Sequence, residues 1–69
     1  MSERALIGHC AAGDLRIGDR FRRCDTGEDP VVVTRVFTPP GAPTVEVAGE
    51  QNGEKVRFIT SSRTVVELI

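Results

Sequence analysis

The dipeptide Asn52-Gly53, set between two stretches in which apolar and polar residues alternate, constrains this chain more than any other feature. Asn-Gly readily supplies two consecutive positive φ angles, which a two-residue hairpin turn needs if its strands are to keep their right-handed twist. Thr44 to Ala48 places Val45 and Val47 on one side of the backbone, with Thr44 and Glu46 on the other. Beyond the turn, Glu54 to Ile59 places Val56 and Phe58 inward and Lys55 and Arg57 outward. Period two on both sides of such a turn specifies an antiparallel pair.

The same period extends over the rest of the chain from Asp19. Nine Val, four Ile and six Thr make the β-branched content high, which favours strands over helices. Arg20 to Cys24 reads as a strand with Phe21 inward and Arg20 and Arg22 outward. Residues 25 to 30 are a polar turn, and Pro30 can open the next strand because no ladder donor is needed there. Val31 to Phe37 is the longest run: Val31, Val33, Arg35 and Phe37 share one face, and Val32, Thr34 and Val36 the other. Thr38 to Pro43 cannot continue a ladder and forms a hairpin loop. A one-turn interruption at Thr60 to Ser62 precedes a last strand from Arg63 to Ile69, with Val66 and Leu68 inward.

Before Asp19 the signals weaken. Gly8 and Gly13 argue against a helix, each costing about 1 kcal/mol in a helix interior, so the start reads as an extended arm or a short strand at Ala5 to Gly8. Asp14 to Asp19 reads as a tight turn that docks Leu15 and Ile17 against the core. The expectation is an N-terminal arm over residues 1–13 and one all-β domain over 14–69, of about five antiparallel strands. With 69 residues and 19 Leu, Ile, Val and Phe, the chain has material for one small core and modest stability.

Charge and composition narrow the function classes. Nine basic and ten acidic residues give a net charge of -1, so no global field draws the chain to nucleic acid or anionic lipid. No apolar run reaches the length that spans a bilayer, and the first residues lack the pattern of a secretory leader; the sequence expectation is a cytoplasmic protein. Cys10 and Cys24 are then expected as free thiols. One His, two Cys and no nucleophile or acid–base motif leave no residue set to which a reaction can be assigned, so the chain is expected not to be an enzyme.

Three groupings bear on binding. Arg16, Arg20, Arg22 and Arg23 fall within eight residues with Asp19 alone among them to oppose, a local charge of +3; Arg forks suit phosphates and acidic protein surfaces alike. Against this, Asp25, Glu28 and Asp29 follow and can neutralise the cluster. Phe21, Phe37 and Phe58 fall at positions that suit a core, which removes stacking platforms for bases. His9, Cys10 and Cys24 could supply three zinc ligands, but their spacing matches no knuckle and a fourth ligand is missing; no metal or cofactor is expected. Pro40 to Pro43 matches a bare P-x-x-P that turn chemistry accounts for.

The pattern as a whole, five short strands with a Pro/Gly loop after the second, an Asn-Gly hairpin and a one-turn break before the last, resembles the SH3-like small β-barrel. Asp14-Leu15-Arg16-Ile17-Gly18-Asp19 resembles the D-L-x-x-G-D opening of KOW-type and elongation factor P-like barrels, and of other small barrels including Hint-type domains. Such a resemblance implies ribosome- or polymerase-associated company. The chain departs from these families in having no basic residue at its Pro40-Gly41-Ala42 tip, no Tyr or Trp for a proline-rich ligand, and a single barrel's length. Two functions follow as expectations: a protein-interaction adaptor, or a nucleic-acid-binding barrel using Arg16, Arg20, Arg22 and Arg23. Monomer is the expected state, with a homodimer through the C-terminal strand as the alternative.

Overall fold

The computed structural model describes residues 8–24 and 26–69. Six strands form a single antiparallel sheet: β1 (Gly8–Ala11), β2 (Arg20–Arg23), β3 (Val31–Phe37), β4 (Thr44–Gln51), β5 (Glu54–Ser61) and β6 (Val65–Leu68), in the spatial order β1-β6-β2-β3-β4-β5. One 3-10 turn, Ala12–Asp14, follows β1. The all-β expectation holds, with one strand more than expected.

The Asn-Gly turn is as read from sequence. Asn52 has φ 55° and Gly53 φ 80°, and the hairpin runs in register from Gln51 opposite Glu54 to Thr44 opposite Ser61. β4 and β5 are consequently the longest paired strands, at eight residues each. β6 lies between β1 and β2, so both of its edges are hydrogen-bonded within the chain. The extra strand is Gly8–Ala11, which pairs with β6 over four residues; Ala5 to Ile7, the rest of the expected short strand, lie outside the described residues.

The core is mostly valine. Val31, Val33, Val45, Val47 and Val66 are buried together with Ala12, Leu15 and Phe21, and Cys10, Val36, Val56, Phe58 and Leu68 pack against them. Short β-branched side chains fill a thin space with little rotamer freedom to lose, which suits so small a domain.

Two inward assignments are corrected. Arg16-Ile17-Gly18-Asp19 closes a turn through Asp19 N–H to Arg16 O at 3.0 Å, with Gly18 at φ 95°. Positive φ at that position is the geometry of a type II turn, and it leaves Ile17 at the outward corner, 73% exposed. Leu15 alone docks. In β3 the register shifts between Val33 and Arg35, where Thr34 is an extra residue opposite β4. A bulge of this kind reverses the alternation beyond it, so Val36 packs on the core and Phe37 is turned outward, 47% exposed.

No ladder joins β1 to β5 among the described residues. The 3-10 turn bridges that end of the sheet: Ala12 N–H donates to Thr64 O at 2.7 Å and Gly13 N–H to Ser62 O at 3.0 Å. Among the described residues, no helix is long and apolar enough to cross a membrane.

Candidate functional site

β5 is the outer strand on its side of the sheet and pairs, among the described residues, with the strand β4 alone. Antiparallel pairing alternates bonded and non-bonded residue pairs, and a two-residue hairpin makes the flanking pair, Gln51 and Glu54, a bonded one. Ser62 N–H donates to Pro43 O at 2.8 Å, which fixes the same parity at the far end. Even-numbered residues of β5 therefore spend their backbone groups on β4. Lys55, Arg57 and Ile59 turn their N–H and C=O groups to the edge that is open among the described residues, and Ser61 its N–H, while the Ser61 carbonyl accepts from Thr64 N–H at 3.0 Å.

Beside this edge lies a cavity of about 310 Å³ floored by Leu15, Phe21, Val47, Phe58 and Val66, with Arg23, Arg57 and Ile59 at its rim. Phe21 and Phe58 meet edge to face, their ring centres 6.2 Å apart at 74°. The Arg23 guanidinium lies 4.9 Å from the centre of the Phe58 ring, a cation–π contact that reaches from β2 to β5 across the hollow of the sheet. This hollow is at the small end of ligand pockets, which run from about 300 to 1,000 Å³. It has room for about one or two side chains, and its lining is mostly apolar, with the Thr60 and Thr64 hydroxyls and the Arg23 and Arg57 side chains as its polar part.

The arginine cluster is divided by the pleat. Arg20 and Arg22, two residues apart, share the outer face of β2, whereas Arg23 points with Phe21 to the hollow. Arg22 Nε donates to Glu67 Oε1 at 2.7 Å across the β2–β6 ladder. Arg23 makes a fork with Glu28, Nη2 to Oε1 at 2.7 Å and Nε to Oε2 at 3.0 Å, while its backbone N–H donates to the same Oε2 at 2.9 Å. That fork, above all its side-chain hydrogen bonds, holds the Glu28 carboxyl down at about 2. Arg16 sits in its turn, where its backbone N–H donates to Asp19 Oδ2 at 2.8 Å. Glu28 neutralises the cluster as the sequence suggested, but Glu67 comes from the far end of the chain. Asp29 instead anchors the Asn-Gly hairpin: Gln51 Nε2 donates to its carbonyl at 2.7 Å and Asn52 Nδ2 to its carboxylate. Asp25 lies outside the described residues.

The thiols and the imidazole also separate by parity. Cys10 and Cys24 are free cysteines. Cys10 packs toward the core, where burial first, and then the carboxylates of Asp19 and Asp14, push its thiol up from the ordinary 9.0. Adjacent strand residues face opposite ways, so His9 is on the outer face. There it meets Cys24 and Glu67, the ligand atoms of the three within 4.8 Å of one another. The trio His9, Cys10 and Cys24 considered from sequence is not brought together.

Sequence reasoning missed the β5 edge and its cavity, although the hairpin parity that defines the edge is implicit in the Asn-Gly position. It also missed Glu67, whose place depends on β6 lying between β1 and β2. No family model, curated protein or solved structure matches the chain.

Proposed function

We propose that this chain is a non-catalytic adaptor, an open SH3-like barrel that binds an extended segment of another protein by adding it as a strand to β5. The observation that carries this reading is the juxtaposition of a long open edge with an apolar hollow. Strand addition takes affinity from main-chain hydrogen bonds and selectivity from pockets for alternate side chains. Arg57, Ile59 and Ser61 offer N–H donors at that edge, and Phe21, Phe58 and Val66 line a receptacle for every second side chain of the guest. Lys55 and Arg57 flank the edge, Arg57 with its Nε 3.1 Å from Glu46 Oε2 of β4; Lys55, and Arg57 to the extent that Glu46 leaves its charge exposed, repel a second copy of the same strand and attract an acidic one. The guest is therefore an extended segment with apolar residues at alternate positions and acidic residues between them.

A peptide-display library panned against the full chain tests this. Enriched sequences alternate apolar and acidic residues, and their binding disappears in Arg57→Pro, which removes an edge donor without touching the β4 ladder. Equal binding by a folded Arg57→Pro variant overturns the proposal.

One observation favours a second reading. Phe37 stands exposed on the outer face of the sheet, and Arg35 and Arg57 face the same side across β4. An exposed aromatic beside two cations is the element of a base-stacking platform, here with Glu46 directly opposite Phe37 and paired to Arg57 at 3.1 Å; a nucleic-acid surface is the alternative function.

A further inference from the structure

We propose that His9, Cys24 and Glu67 form a three-ligand site for a zinc-class divalent cation on the outer face of the β1–β6–β2 sheet. The site is independent of the β5 edge.

Register brings the three together. His9 lies directly opposite Glu67 in the β1–β6 pair, and Glu67 directly opposite Arg22 in the β6–β2 pair. Cys24 follows β2 two residues after Arg22 and so keeps its face; its Sγ is 3.4 Å from Val65 O. Three strands that are distant in sequence thus aim an imidazole, a thiol and a carboxylate at one point, with all ligand atoms within 4.8 Å of one another. At bond lengths of about 2.0 to 2.3 Å, ligand atoms of a tetrahedral zinc stand about 3.3 to 3.7 Å apart. Closing the difference takes about an ångström of rotamer change, which His9, exposed as it is, has the freedom to make.

The donor set selects the metal. One nitrogen, one thiolate sulfur and one carboxylate oxygen suit borderline zinc and its analogue cobalt, whereas magnesium and calcium take oxygen alone. Arg22 acts from behind: it already binds Glu67 Oε1, which orients the carboxylate and leaves the second oxygen for the cation, as hydrogen bonds from neighbouring residues orient ligating groups generally. Binding converts the Cys24 thiol to thiolate and releases its proton to solvent. Three protein ligands leave one tetrahedral position for water.

Cobalt(II) titration of the full chain, held reduced by a phosphine, tests the site. The wild type develops a thiolate-to-cobalt charge-transfer band that saturates at one equivalent, and zinc bleaches it. Cys24→Ser abolishes the band, Glu67→Gln weakens cobalt binding about tenfold or more, and Cys10→Ser leaves the titration unchanged because Cys10 is on the opposite face. Zinc also raises the melting temperature of the wild type and not that of His9→Ala, an exposed position whose replacement leaves the fold intact. Absence of a band in the wild type, or a band that survives Cys24→Ser and is lost in Cys10→Ser, overturns the proposal.

Discussion

Arg23 rests its guanidinium 4.9 Å from the centre of the Phe58 ring while its Nε and Nη2 donate to Glu28. The contact spans from β2 to β5, two strands that are not neighbours in the sheet, and so holds one rim of the hollow in place. Glu28 positions the cation that covers the aromatic floor.

This linkage makes stability depend on acid. Glu28 has its carboxyl lowered from the ordinary 4.5 to about 2, so the folded state keeps it ionised where the unfolded chain takes up a proton. The stabilisation is complete above the unfolded value, and it is lost as pH falls from about 4.5 through about 2. Glu28 is 15% exposed but Arg23 is 54% exposed, and solvent screening leaves about 1 kcal/mol. Urea unfolding of Glu28→Gln is expected to show that deficit near pH 7 and only a small remnant of it near pH 2, where the folded carboxyl is half protonated.

The bulge at Thr34 is tested by its two successors. Val36→Ala removes two methyl groups from the core side and is expected to cost about 1 to 2 kcal/mol. Phe37→Ser, on the outer face, is expected to cost less than about 1 kcal/mol despite its larger change in volume. Uninterrupted alternation in β3 gives the reverse order.

Gly49 lies opposite Val33, next to the bulge in β3. A Cβ there would collide with the Val32 carbonyl and stand 2.6 Å from Val31 Cγ1. Gly49→Ala is expected to lower stability by about 1 to 3 kcal/mol through overpacking, as read by a shift in the urea midpoint with the slope unchanged.

Binding of a mixed pool of single-stranded and duplex nucleic acid separates the two functional readings. An adaptor shows no binding at about 50 mM salt. A phosphate surface binds there and loses affinity steeply toward about 200 mM, with further loss in an Arg20→Ala, Arg22→Ala double variant if those paired outer-face residues carry it, or in Phe37→Ser if the stacking platform does.

The legible parts of this chain were the local ones. Asn52-Gly53 specifies its own hairpin, and Val45, Val47 and Val66 are legible as inward because a two-residue period needs no partner to be recognised; the same period groups Val31 with Val33, which are buried, without saying which of two apolar faces is covered. Phe37 escaped because a bulge depends on the opposite strand: the extra residue Thr34 has no partner on β4, and that mismatch shows only once the two strands are paired. Ile17 escaped because Gly18 could as well have ended a docked loop as formed a type II turn. The arginine cluster was read as one patch, yet the pleat divides Arg22 from Arg23, and the partner of Arg22 is 45 residues away. The β1–β6–β2 order, which gathers His9, Cys24 and Glu67, is a matter of topology that period alone does not carry.

Amide hydrogen exchange along β5 tests the central claim most directly. In the chain alone, the amides of Val56, Phe58 and Thr60 are predicted to be protected by β4, and those of Arg57, Ile59 and Ser61 to exchange rapidly. On addition of a panned alternating apolar–acidic peptide the second set becomes protected while the first is unchanged. Protection of Arg57, Ile59 and Ser61 in the unliganded chain, or their continued rapid exchange with peptide bound, would contradict the account.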